Sequence, residues 1–152
     1  MRAYLTACVT LTVIACAGWS AQDTGKDKDK AAAKKELEAL SATWEVQDTT
    51  LEGGEVIPEG KIRPLLTIKD GKFSMKMPNG EVLGEGPVKV DPTTNPKGIT
   101  LTAGKARPQQ ALYELAGDEL RICFGPPGGP RPKSMKPQGA KETMVTYKRV
   151  KP

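Results

Sequence analysis

The chain has 152 residues, and its 23 lysines and arginines against 18 acidic residues give a formal net charge of +5. It contains no histidine, which excludes Ser-His-Asp and Cys-His catalysis and nearly all catalytic zinc sites. Three cysteines are too few for a disulfide framework, while 16 glycines and 13 prolines indicate many turns. The length fits one domain of ordinary size.

Residues 1–21 have the pattern of a secretory signal peptide. Arg2 precedes the uncharged stretch 3–15. This stretch is too short to span a bilayer, which requires about 20 apolar residues. The sequence VIAC, ending at Cys16, is similar to a bacterial lipobox and makes Cys16 a candidate for lipidation. Ordinary cleavage after Ala17 is the alternative, and the bulky isoleucine in VIAC favours it slightly. Both routes predict an exported protein, located in the periplasm, outside the cell or lipid-anchored at the cell envelope.

The next segment, 22–35, is predicted to be a flexible linker because its charges alternate and it lacks large apolar side chains. Good helix formers then predict a short helix over 32–40. Leu37 and Leu40 share one face of this helix. We expect that face to pack against the folded domain, which we place at 36–152.

Most of the domain alternates apolar and polar residues, which is the signature of β-strands. Asp70-Gly71 is a strong signal for a tight hairpin turn, and the breakers within 81–90 indicate a bulge or an edge strand. Eight strands are predicted, at 43–47, 65–68, 72–77, 81–90, 99–102, 111–115, 119–124 and 143–150. Short connections make consecutive strands antiparallel, and closure would remove exposed edges. The sequence therefore predicts an all-β meander closed into a small barrel, with a sandwich as the alternative.

Four sequence blocks resemble one known family. They lie, in order, at 40–46, 66–73, 88–99 and 113–132. The family is a lipocalin-like domain family expanded in planctomycete bacteria, whose members are small exported proteins of unknown function. The resemblance covers roughly 37–150 and implies a lipocalin-like barrel, but it implies no reaction, cofactor or catalytic residue.

The resemblance also implies a contact at the base of the barrel. In lipocalin-like barrels a tryptophan on the first strand often packs under a basic residue of the last strand. Trp44 and Arg149 are the candidates here, and a cation–π contact between them would be worth about 1 kcal/mol. The alternative is that Trp44 is plain core and Arg149 is exposed.

Carboxylates are the remaining route to acid–base chemistry. Asp118 and Glu119 lie at a predicted turn, and Glu81 and Glu85 lie on one glycine-broken strand, so nothing forces a pair into a pocket. We predict no catalytic residue, no metal site, no cofactor and no enzymatic activity. Cys123 stands in an apolar run and is predicted to be a small buried side chain.

The long loop 125–141 carries the densest run of one charge sign in the domain, with Arg131, Lys133, Lys136 and Lys141. A solvated loop is the simpler interpretation. The alternative is a contact with an anionic partner, such as lipid headgroups or envelope polysaccharide. Nucleic acid is not an expected partner, because an exported protein with 5% aromatic residues offers little base stacking.

Two functions fit these predictions. The protein is either a monomeric binding module, with a small apolar or amphipathic ligand in the barrel, or a structural or interaction module of the cell envelope with a filled barrel. The ligand-binding residues are not predicted, and fold analogy favours binding only weakly. An apolar cavity of a few hundred Å³ would support the first function. A core packed solid by Trp44, Phe73, Leu112 and Ile122 would support the second.

Overall fold

The computed structural model describes residues 24–51, 56–58, 63–139 and 141–151. The predicted signal peptide, with Cys16, therefore lies outside the described residues. The elements, in chain order, are α1 (Thr24–Leu40), β1 (Ala42–Leu51), β2 (Val56–Pro58), β3 (Leu65–Lys69), β4 (Lys72–Lys76), β5 (Val82–Asp91), β6 (Lys97–Leu101), β7 (Gln109–Ala116), β8 (Glu119–Phe124) and β9 (Thr143–Arg149).

The strands form a closed antiparallel barrel. From β3 to β9 each strand pairs with the next along the chain, and β1 pairs with β3 on one side and with β9 on the other. Strand β1 has two partners on this side. Its first half pairs with β3, and its second half pairs with the short β2. The barrel proper thus has eight strands in meander order, and the predicted lipocalin-like all-β fold is confirmed.

The eight predicted strands are present, with ends shifted by a few residues. The Asp70-Gly71 turn has positive φ at both positions, 51° and 71°, as the favoured two-residue hairpin turn requires. One residue of β5 is extra in its pairing with β4, so the predicted bulge is present. However, β5 lies between β4 and β6 and is not an edge strand.

The helix is longer than the sequence analysis predicts. It begins at Thr24 and not at 32, and so it covers most of the segment 22–35 that we expected to be a flexible linker. The lysines at 26, 28 and 30 and the alanines at 31–33 favour helix. Asp27 lies in the first turn, where an acidic side chain interacts favourably with the helix dipole. Side chains 27–30 are exposed, so this first part of the helix is solvated as expected.

One half of the barrel interior is tightly packed. Its side chains are at most 1% exposed, namely Leu40, Trp44, Leu66, Ile68, Ile99, Tyr113, Leu120 and Ile122. Leu40 belongs to α1 and Leu37 packs against the same cluster, so the predicted packing of this helical face is confirmed. We call this half, covered by α1, the closed end.

The outer wall of β7, β8 and β9 carries a second apolar layer. Leu112 and Cys123 are buried but lie outside the interior cluster, and the ladder register aligns them with Met144 in one row. Leu112 is therefore not part of the interior core, contrary to our prediction. The reason is the two-residue period of strands, because its neighbours Ala111 and Tyr113 point inward.

Candidate functional site

At the closed end, Arg149 joins the last strand to the first strand and to the helix. Its guanidinium carbon lies 4.6 Å from the centre of the Trp44 ring, so the predicted contact is present. Arg149 Nη2 donates a hydrogen bond to the Ala39 carbonyl (3.1 Å), and Trp44 Nε1 donates one to the Leu40 carbonyl (3.0 Å). The last carbonyls of a helix have no hydrogen-bond donor within the helix. Arg149 and Trp44 donate to two of these carbonyls in α1.

Glu36 makes a second attachment of α1 to the barrel. Its carboxylate accepts hydrogen bonds from Lys97 Nζ and from the Tyr113 hydroxyl, the latter at 3.0 Å. The pKa of Glu36 lies below its ordinary value. The hydrogen bond from Lys97 is the main cause and the bond from Tyr113 adds to it, while desolvation acts in the opposite direction. Burial and the carboxylate of Glu36 raise the pKa of Tyr113. These polar contacts attach α1 to β6 and β7 across the closed end.

The other half of the barrel holds a cavity of about 690 Å³ that opens to solvent. It lies at the end opposite the helix, which we call the mouth. The lining residues are Val46, Thr49, Pro64, Phe73, Met75, Leu83, Gly84, Leu101, Ala103, Ala106, Arg107, Gln109, Phe124, Pro127, Thr143, Val145 and Tyr147. Most of these are apolar, as in small-molecule sites generally.

Small residues on one wall make room for the cavity. Gly84, Ala103 and Ala106 stand where larger side chains would fill the space. A Cβ added to Gly84 would make only ordinary contact, 3.5 Å from Ala103 Cβ and 4.0 Å from Phe73 Cε2. The small size of these residues therefore contributes to the space in the mouth.

The side chains of Tyr147 and Arg107, both in the lining, make no hydrogen bond or ion pair with a described residue. Tyr147 is 1% exposed, and burial raises its pKa, but its hydroxyl makes no hydrogen bond with a described residue. Buried tyrosine hydroxyls usually have a partner. Arg107 lies exposed in the connection between β6 and β7, and no described carboxylate lies within ion-pair distance of it. None of the described lining residues is acidic.

The predicted basic loop divides into two parts. Arg131 folds back on the outer wall, where its guanidinium covers Gly98 and Nη1 lies 3.6 Å from the Asp91 carboxylate. Lys133, Lys136 and Lys141 are exposed. Arg131 is thus held by the barrel itself, and an anionic partner for the three lysines stays a prediction.

The predicted carboxylate pairs do not form a catalytic site. Asp118 lies 3.7 Å from Arg149 Nε and 3.1 Å from Lys151 Nζ, and Glu119 pairs with Arg121 on the surface. In the described ranges, no group of three or more acidic or cysteine side chains could hold a metal ion. Over the same residues, no helix has the length and apolar character to cross a bilayer.

The single cysteine of the described chain is buried, as the sequence predicts. Burial, and to a smaller extent the charge of Glu142, raises the pKa of the Cys123 thiol to about 11. A thiol with so high a pKa is almost wholly protonated at neutral pH and therefore a poor nucleophile. Cys123 is a packing residue of the outer layer.

Sequence reasoning identified the closed end but not the residues of the mouth. Arg107 and Tyr147 carried no motif, and Gly84 was interpreted only as a strand breaker. Its position two residues from Gly86 and four from Val88 was the available signal, because a small residue on the inner face leaves space inside a barrel. Comparisons of the chain with protein-family models, with curated proteins and with solved structures find no significant match.

Proposed function

We propose that this protein is a non-enzymatic binding module that holds a small apolar or amphipathic ligand in the mouth half of its barrel. The observation that carries this proposal is the cavity of about 690 Å³ with a largely apolar lining. This volume lies within the range of about 300–1,000 Å³ typical of small-molecule sites. The alternative of a structural module requires a filled barrel, which does not agree with a cavity of this size.

The distribution of burial supports the same function. Four of the core residues that line the cavity keep some exposure, namely Val46 (7%), Leu101 (6%), Phe73 (7%) and Phe124 (9%), whereas Tyr147 is 1% exposed. Residues of the closed end are at most 1% exposed. An apolar ligand in the mouth would remove this remaining apolar surface from water, at about 25 cal/mol per Å².

Filling the cavity tests the proposal. Val145 lines the cavity, so Val145→Trp should occupy the space that a ligand needs. The matched control is Lys148→Trp, which places the same side chain at an exposed position of the same strand. We expect saturable, one-to-one fluorescence enhancement of the neutral probe N-phenylnaphthylamine with the wild type and the control, and at least tenfold weaker binding with Val145→Trp. Equal binding by all three proteins would overturn the proposal.

Export and family membership belong to the same proposal. The signal-peptide pattern of 1–21 supports export, and the four sequence blocks support membership of the planctomycete lipocalin-like family. Intact mass of the protein recovered from cells tests both cleavage routes, because lipidation at Cys16 would add a diacylglycerol and ordinary cleavage after Ala17 would add none. An uncleaved chain would contradict export by either route.

A further inference from the structure

We infer that the cavity ligand is a single-chain amphiphile with a carboxylate head group, which Arg107 binds at the mouth while the alkyl chain fills the barrel. This inference rests on the proposed ligand binding and specifies its chemistry. It begins from the charge of the described lining residues, among which Arg107 is the one ionised side chain and none is acidic. The local field at the mouth therefore favours a negatively charged group.

The described arginines differ in whether they have a partner. Four of them lie within ion-pair distance of a carboxylate, namely Arg63 of Glu45, Arg121 of Glu119, Arg131 of Asp91 and Arg149 of Asp118. Among the described residues, no carboxylate lies within that distance of Arg107. Its planar group of N–H donors is therefore available, and this geometry matches a carboxylate better than a lysine ammonium does.

The local structure holds Arg107 in place over the mouth. Its stem runs across Gly128, where an added Cβ would lie 2.6 Å from Arg107 Cδ. The surrounding backbone is tied by hydrogen bonds from Gly128 N to the Pro108 carbonyl (3.2 Å) and from Ala106 N to the Ala103 carbonyl (2.8 Å). A side chain whose stem is already packed loses less conformational entropy when its head binds a ligand.

The apolar surface below Arg107 suits an alkyl chain. Phe73, Met75, Leu101 and Val145 line the cavity, and the tightly packed closed end limits its depth. A ligand would thus place its charged end beside Arg107 in solvent and its apolar end in the barrel. Such an arrangement discriminates an amphiphilic acid from an uncharged molecule of equal length.

The test compares dodecanoate with dodecanol at neutral pH, by competition with N-phenylnaphthylamine. We expect dodecanoate to bind about threefold more tightly than dodecanol, because Arg107 is exposed and an ion pair in solvent is weak. Arg107→Gln should abolish this preference by weakening dodecanoate alone. The matched control Lys105→Gln removes a charge from the same connection at an exposed residue outside the cavity lining, and the preference should persist in it.

A charge reversal keeps the test independent of folding. Arg107→Glu should bind dodecylamine more tightly than the wild type does, with saturation at one molecule per chain, whereas a misfolded chain would bind several molecules without saturating at that ratio. If dodecanoate and dodecanol bind the wild type equally, or if Arg107→Gln keeps the preference, the inference is overturned while the barrel remains a ligand site. If no probe binds the wild type, the proposed function fails as well.

Discussion

The attachment of α1 through Tyr113 and Glu36 can be measured with a pair of substitutions that each remove one hydroxyl from a buried tyrosine. Tyr113→Phe removes the 3.0 Å hydrogen bond to the Glu36 carboxylate. Tyr147→Phe removes a hydroxyl that has no partner in the described chain. Both tyrosines are 1% exposed, so the two substitutions are matched in burial and in the atom deleted.

The expected magnitudes follow from these contacts. A hydrogen bond to a charged group contributes about 1.5–3 kcal/mol. The Glu36 side chain is 22% exposed, so water can partly replace the lost donor, and we expect Tyr113→Phe to lower the free energy of unfolding by about 1.5 kcal/mol. Tyr147→Phe should change it by less than about 0.5 kcal/mol, because no hydrogen bond is lost.

Urea unfolding followed by tryptophan fluorescence measures both values, since Trp44 is buried at the closed end. Acid provides an independent check. The folded-state pKa of Glu36 lies below its ordinary value of 4.5, so the contribution of its ionised form is complete above that pH and is lost as the pH falls through the folded-state pKa. Glu36→Gln should therefore reduce the acid dependence of stability in this window. Equal losses in the two tyrosine variants would refute the described attachment.

Three further outcomes are expected. Gly86→Ala should destabilise the barrel by about 1–3 kcal/mol, because the added Cβ would lie 1.8 Å from the Thr102 carbonyl oxygen. Gly84→Ala should change the free energy of unfolding by less than about 0.5 kcal/mol. Equal urea midpoints for the two variants would contradict this account. Arg149→Met should cost about 1–2 kcal/mol in the same assay, because it removes both the indole contact and the bond to the helix carbonyl; an unchanged midpoint would show that neither contributes. Cys123 should not react with dithionitrobenzoate at pH 8 until urea unfolds the chain, because its pKa is about 11 and its side chain is buried; rapid labelling of the folded protein would contradict this.

The strands could be predicted from the sequence because each follows the two-residue period of a sheet with one buried face. The contact of Arg149 with Trp44 was implied by family resemblance. Periodicity does not say which of two apolar neighbours faces the interior, and Leu112 was misplaced for this reason. It also misses the first turns of α1, where the helix is exposed and carries no apolar face.

The candidate site was less predictable than the fold. A cavity depends on the summed volume of inward side chains at one level of the barrel, and these come from strands far apart in sequence. Arg107 carries no recognisable motif. Its significance comes from its place in the cavity lining and from the absence of a carboxylate within ion-pair distance among the described residues. The cavity and the surroundings of Arg107 are formed only when the sheet closes into a barrel.

Methyl NMR spectra recorded during a titration with dodecanoate test the central claim most directly. The account predicts saturable shifts of the methyl groups of Leu101, Ala103 and Val145, which line the cavity. The methyl groups of Ile99 and Leu120, in the closed end, should keep their positions. Shifts confined to the outer wall, or no saturable shift at the mouth, would contradict the claim that this half of the barrel is a ligand site.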